Sequence, residues 1–289
     1  MFFRKSSERE LKMIWAVEKG HLRSYLVGTA HYFPYSFRTS LSRCLKEADT
    51  VLFEGPLDPE NMAKVVRAGM DTENRYHLFD DLDARTIDGL TTALVPVCRD
   101  KHSFIVLNLC KMSLENPIYE MVKGMKPWLA FFTIWSAYLE KNGWRHSVDL
   151  EGYRIATELG KPIICMETIE AQISVLESLS HARMIEFLKK VDQWPRLSQE
   201  YAAGYLKGDP DRIVSMRLRF PSRHYSVIDH RDEIFYEQMR GYIARGNAVA
   251  FVGAPHVRGV GRLLQKDGYQ MVGPGIPARA ATSLHSARE

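Results

Sequence analysis

Two apolar runs in this chain end the same way. YLVGTAH (Tyr25–His31) and AVAFVGAPH (Ala248–His256) each pass from apolar residues through a glycine to a histidine three positions on. With 19 Gly and 10 His in 289 residues, roughly two-thirds of one Gly-x-x-His arises by chance, so the bare motif says little. The setting says more. Each copy sits where a short strand should run into a turn, and in an open α/β sheet ligands bind outside the carboxyl ends of the strands. The pair predicts an α/β fold in which His31 and His256 meet at one sheet edge.

Two more runs share this property, Thr50–Phe53 ending at Glu54 and Ile163–Met166 ending at Glu167. If all four strands lie parallel in one sheet, their terminal side chains emerge together. Two imidazoles and one or two carboxylates are donors that suit Zn, Mn, Fe or Co. Gly28 and Gly253 are read as letting the backbone turn sharply and approach a bound group. Taken singly, each residue also has a plainer role. A histidine after a strand is more often a loop or core residue, and Glu54 beside Gly55-Pro56 is either a ligand or a loop carboxylate. Glu167 before Thr168 is either a site residue or a first-turn acid favoured by the helix dipole. Asp149 is either a site residue or the cap of the helix it precedes. Arg231 lies on the polar face of a helical pattern, where a solvated charge is the ordinary reading.

Along the chain, Met13–Val17 and Ser24–Gly28 predict a hairpin through the turn signal Glu18-Lys19-Gly20. Ser36–Ala48 has helical spacing, and the step from the second strand to Thr50–Phe53 reads as a right-handed parallel crossover. Residues 59–124 read as a helical insertion: Asp58-Pro59 starts one helix, Asp83 or Thr86 another running to about Cys98, and Phe104–Leu109 is ambiguous. Pro127 opens an unusually apolar helix, PWLAFFTIWSAYL, which ends at Gly143. Asp149–Leu159 is amphipathic, and Ile163–Met166 reads as a short buried strand. Helical patterns cover Ile169–Leu179, His181–Trp194, Ser198–Lys207, Pro210–Arg219 and Asp229–Ala244. After the strand Ala248–Val252, a helix Gly259–Lys266 and a strand Tyr269–Val272 close a single domain over residues 1–276, with a loose tail at 277–289.

Composition narrows the function. A net charge of +4, spread along a chain that is 45% hydrophobic, is no nucleic-acid footprint. Cys44, Cys98, Cys110 and Cys165 lack metal or redox spacing and read as buried free thiols in a reducing compartment. The segment after Phe3 is too polar for a signal peptide, and the apolar helix is short for a membrane span. A membrane-surface or partner-binding role is the minor alternative for that helix. The expectation is a soluble, cytoplasmic protein that binds neither nucleic acid nor membrane, with a homo-oligomer left open. No Walker loop, H-E-x-x-H, G-x-S-x-G or G-x-G-x-x-G is present.

Several blocks together resemble the TraB/PrgY/GumN family, which includes the Tiki metalloproteases. They are SYLVGTAHYFP, EADTVLFEGPLD, KPWLAFFTIW, SVDLEGYRIATELGKPIICMETIEAQISVLESLS, DHRDEIFYEQM and AVAFVGAPHVRGVGRLLQKDGYQMV. The resemblance implies a mixed, mostly parallel sheet flanked by helices, related to erythromycin-esterase and ChaN-like proteins. It implies a site containing His31, His256 and Glu54 and, for the Tiki proteins, metal-dependent peptide hydrolysis with Mn or Co; the reading taken here is hydrolysis of a peptide or amide bond with Mn, Co or Zn. Glu167 or Asp149 then serves as a further ligand, a general base or a partner orienting a histidine, and Arg231 steadies an oxyanion. The arginine block here reads HRDE where the family commonly has Arg-Asn. Two other readings stay open. One is a regulatory binder of a peptide, metal or haem. The other is a metal-free esterase with His31 as general base, oriented by Glu54.

Overall fold

The structure, a computed structural model, describes residues 8–71, 78–94, 117–216, 220–221 and 225–273. The expectations for Phe104–Leu109, Cys98, Cys110 and the tail at 277–289 lie outside these residues. So do the far ends of the helices expected to reach Cys98 and Arg219.

Strands β1 (Ile14–Lys19) and β2 (Leu22–Thr29) form the predicted antiparallel hairpin. Lys19 faces Leu22, so the turn is Gly20-His21, one step later than the turn signal suggested. Gly20 makes it at φ +62°, a left-handed conformation that costs glycine little. Helix α1 (Arg38–Lys46) buries Leu41, Cys44 and Leu45 and leads into β3 (Thr50–Phe53). Between β3 and β4 (Ile163–Cys165) come α2 (Pro59–Gly69), α3 (Ala84–Leu94), α4 (Pro117–Val122), α5 (Pro127–Lys141) and α6 (Val148–Glu158). Between β4 and β5 (Ala248–Gly253) come α7 (Ile169–Glu177), α8 (His181–Leu188), α9 (Trp194–Lys207), α10 (Pro210–Ser215) and α11 (Tyr225–Ile243). Helix α12 (Val257–Lys266) and β6 (Gln270–Val272) follow.

The six strands make one mixed sheet in the order β4-β3-β5-β2-β1-β6. The neighbours β4/β3, β3/β5 and β5/β2 pair in parallel, while β1 runs antiparallel to β2 and β6. The late strand β5 thus slots between β2 and β3. Its residues Ala248–Val252 are all at most 1% exposed, which explains their unbroken apolar run, because a central parallel strand is covered on both faces. Strand β4 is instead at the edge. Ile163 and Ile164 are half-buried and Cys165 is exposed, which corrects the expectation of a buried strand and a buried thiol there. Cys44 is buried as expected.

Local chemistry sets most helix starts. Asp58 accepts from the Asn61 N–H at 3.1 Å and Thr168 from the Ala171 N–H at 3.2 Å, each satisfying a first-turn donor. Ser147, not Asp149, caps α6 by accepting from the Leu150 N–H at 3.3 Å. The stretch expected as one helix over His181–Trp194 breaks after Leu188. A single 3-10 turn follows at Val191–Gln193, and α9 starts at Trp194 with Pro195 in its first turn. Trp194 is fully buried and its indole donates to the Phe187 carbonyl at 3.2 Å.

Candidate active site

The parallel set β2, β5, β3 and β4 delivers His31, His256, Glu54 and Glu167 to a single sheet edge. Register makes this so: Thr29 lies opposite Gly253, Leu52 opposite Ala250, and Phe53 opposite Cys165. The β3/β4 pairing continues one step further, the Glu167 N–H donating to the Glu54 carbonyl at 2.7 Å.

Arg231 is the hub of this edge. Its Nε donates to Glu167 Oε1 at 2.9 Å, and its Nη2 donates to Glu167 Oε2 at 2.7 Å and to Glu54 Oε2 at 3.0 Å. The guanidinium lies 4.8 Å from the ring centre of Phe235, one helical turn on along α11. Its side chain is 12% exposed, so it is not the solvated charge that its neighbours in sequence suggested. Burial works against its charge, and Glu54 and Glu167 more than restore it, raising its pKa. Glu167, read in sequence as a site residue or a helix-start acid, is 5% exposed and fixes Arg231.

Glu54 accepts on both oxygens, from Arg231 and from the Gly253 N–H at 2.5 Å. Burial alone would raise its pKa, but Arg231, His256 and the Gly253 bond hold it below the usual carboxylate range. Gly253 does not need a left-handed backbone, since its φ is −51°. It is needed for the close approach, as an added Cβ would lie 3.3 Å from Glu54 Oε1. Gly28 likewise serves packing, its Cβ position lying 2.6 Å from Met13 and 2.7 Å from Val257. The turn-making role expected of both glycines is therefore corrected.

Each histidine has a carboxylate behind it. His31 Nδ1 lies 2.5 Å from Asp149 Oδ2. This contact follows from backbone pairing: Phe33 and His146 exchange N–H···O bonds of 2.7 and 3.0 Å, and the Val148 N–H donates to the Ala30 carbonyl at 3.0 Å. The other Asp149 oxygen accepts from the Ser147 hydroxyl. The charge of Asp149 lifts the His31 pKa to about 9. For Asp149 burial pulls upward, but the His31 charge and the two side-chain bonds win and bring it to about 2. The His31 side chain is 75% accessible because it borders open cavities, so water there screens the pair. Glu54, proposed to orient His31 in the esterase reading, does not take that part; Asp149 does.

His256 is 3% exposed and its Nδ1 lies 2.6 Å from Asp232 Oδ1. Its ring stands edge-on to Phe235, centres 5.0 Å apart, and its Nε2 is 3.9 Å from Glu54 Oε1. Burial pushes the Asp232 carboxyl up, with the His256 bond opposing. Sequence reasoning missed Asp232. The available signal is Gly259, three residues beyond His256, whose Cβ would sit 1.7 Å from Asp232 Oδ2.

An ionised carboxylate can only accept, so Asp149 and Asp232 keep an imidazole proton on Nδ1 and make Nε2 the atom that is bare in a neutral ring; His31, with its pKa at about 9, also carries a proton there at neutral pH. His31, Glu54 and Arg231 border two cavities of about 540 and 450 Å³. Among the described residues, no three His, Cys, Asp or Glu side chains stand together as a ready ligand set, and no helix is long and apolar enough to cross a membrane.

No curated protein matches this sequence. The profile of the TraB/PrgY/gumN family matches residues 13–272, a span that holds all six strands and every side chain of the edge just described. The chain belongs to the TraB/PrgY/gumN family.

Proposed function

We propose that this protein is a metal-dependent hydrolase acting on a peptide or amide bond. One observation carries the reading: both imidazoles are held through Nδ1 by buried carboxylates, at 2.5 and 2.6 Å, which leaves Nε2 as the atom that a metal would take, displacing the second proton of His31. This is how metal-ligating histidines are oriented. His31, His256 and Glu54 would hold a divalent ion such as Mn, Co or Zn. Bound there, the ion supplies a water of lowered pKa and polarises the scissile carbonyl.

Charge supports the same reading. Glu54, Glu167, Asp149 and Asp232, when ionised, set four negative charges against Arg231 and, below about pH 9, the protonated His31, an excess of two. A divalent ion taking the place of the His31 proton would bring that excess to one. The donors suit a metal in type, with Glu54 shared between the ion and Arg231, and binding would draw His31, His256 and Glu54 closer together than they stand here.

The chain's own groups have separable tasks. Arg231 keeps Nη1 as the edge of its guanidinium not engaged by Glu54 or Glu167, and that edge can donate to a developing oxyanion. Glu167 holds the guanidinium in place. Asp149 and Asp232 keep the imidazoles turned and in one tautomer.

The His31–Asp149 pair also suits a second reading, metal-free acyl hydrolysis with His31 as general base in its neutral form, which a pKa of about 9 places at alkaline pH. Metal analysis decides between them. Wild type should carry about one transition metal per chain, lost in a His31→Ala/His256→Ala double variant. No metal after reconstitution with Mn, Co and Zn, together with chelator-insensitive hydrolysis, would overturn the first reading. Product formation with substrate in excess separates either enzyme from a regulatory protein that binds a peptide, metal or haem.

A further inference from the structure

Helix α5, the apolar stretch conspicuous in the sequence, buries Ala130, Phe131 and Ile134 in the core. Its other face, with Leu129, Phe132, Thr133 and Ser136, is only half-buried because it lines the 540 Å³ cavity. Trp135, Phe187 and Phe220 extend that wall, and His31, Glu54, Arg231 and His256 line the same cavity. Its volume is typical of a small-molecule site.

Three hydroxyls of this wall already donate within the protein. Thr133 Oγ1 donates to the Met125 sulfur at 3.5 Å, Ser136 Oγ to the Thr133 carbonyl at 3.1 Å, and Ser198 Oγ to the Trp194 carbonyl at 2.9 Å. Among the described lining residues, the Trp128 Nε1–H is a buried donor without a hydrogen-bond partner. A peptide entering here would bring one N–H and one C=O per residue, more polar groups than this largely apolar wall can partner, and each one left over would lose water at a cost. A hydrocarbon chain brings none.

We infer that this chamber takes the acyl chain of a fatty amide or ester, with its carbonyl at the histidine and arginine edge. This names the substrate class of the proposed hydrolase and rests on that reading for turnover. Binding of the chain does not.

The test is calorimetric titration of the purified protein with octanoate, decanoate, laurate and myristate, beside a capped apolar hexapeptide. Affinity should rise about 3- to 4-fold per added methylene until the chamber is full, with the peptide far weaker. Thr133→Trp, which fills the chamber away from the charged groups, should weaken laurate binding at least about 10-fold while metal content stays unchanged. Leu129→Trp serves the same purpose should the first variant not fold. His31→Ala should keep the chain-length dependence, so binding without hydrolysis supports the acyl chamber while removing the proposed activity. An affinity independent of chain length, a hexapeptide that binds as tightly as laurate, or a folded chamber-filling variant that binds like wild type would overturn the inference.

Discussion

Gly259 stands directly against Asp232: a methyl group at its Cα would lie 1.7 Å from Asp232 Oδ2, while Asp232 Oδ1 holds His256 Nδ1 at 2.6 Å. The glycine of α12 makes room for the carboxylate of α11, and that carboxylate aims the imidazole that precedes α12. Asp232→Ala should lower metal affinity or kcat/KM by about 10- to 100-fold, the usual loss when a histidine's orienting partner is removed. Gly259→Ala should have a similar effect by displacing Asp232. Metal titration and steady-state kinetics on both variants check this. A fully active Asp232→Ala would detach Asp232 from the site.

Arg231 sits on two carboxylates of 5% and 19% exposure. Its removal leaves them unpaired in a confined space. Arg231→Ala should cost about 3–5 kcal/mol of folding stability, as when one partner of a buried ion pair is deleted. Arg231→Lys should recover only part, because a point ammonium cannot reproduce the fork to Glu167. Urea unfolding measures both. A loss under about 1 kcal/mol would mean that Glu54 and Glu167 find water or protons cheaply.

Gly28 is closed in by Met13 and Val257 at 2.6 and 2.7 Å from its Cβ position, and its carbonyl accepts from the buried Tyr205 hydroxyl at 2.6 Å. Gly28→Ala should cost about 1–3 kcal/mol through overpacking. Tyr205→Phe should cost about 0.5–1.5 kcal/mol through the lost hydrogen bond. Denaturant titration tests both; a neutral Gly28→Ala would show that Met13 gives way easily.

The Tyr236 hydroxyl donates to Asp267, clipping α11 to the end of α12. Tyr236 is 9% exposed, and burial, then Asp267, pushes its pKa up to about 12. The unfolded group ionises near 10. The folded state therefore holds this proton more tightly, so the contribution is complete below pH 10 and is lost as pH rises from 10 to 12. Absorbance titration at the phenolate band should lose one tyrosine titrating near pH 12 in Tyr236→Phe, while the buried Tyr205, whose pKa is also raised, is retained. An unchanged titration would mean that the clip opens in solution.

Much of the scaffold was legible because its causes are local. The Asp58-Pro59 start of α2, the Thr168 cap of α7 and the bounds of β3 at Thr50–Phe53 all follow from residues within one turn or one strand. Ser147 was hidden because Asp149, two residues on, is also a good cap; only the backbone pairing of Phe33 with His146 reserves Asp149 for His31. The break between α8 and α9 was blurred because the apolar periodicity runs across it.

By itself the sequence determined that four apolar runs end in His31, Glu54, Glu167 and His256, and that their setting suits an α/β sheet. Strand period, turn glycines and caps are short-range properties that a chain displays openly. Only the tertiary structure decided that β5 enters between β2 and β3, that Arg231 is buried between two glutamates, and that Asp232 stands behind His256. Those outcomes depend on which distant segments exclude water from one another. An arginine on α11 looks the same in sequence whether its helix faces solvent or, as here, the ends of three strands.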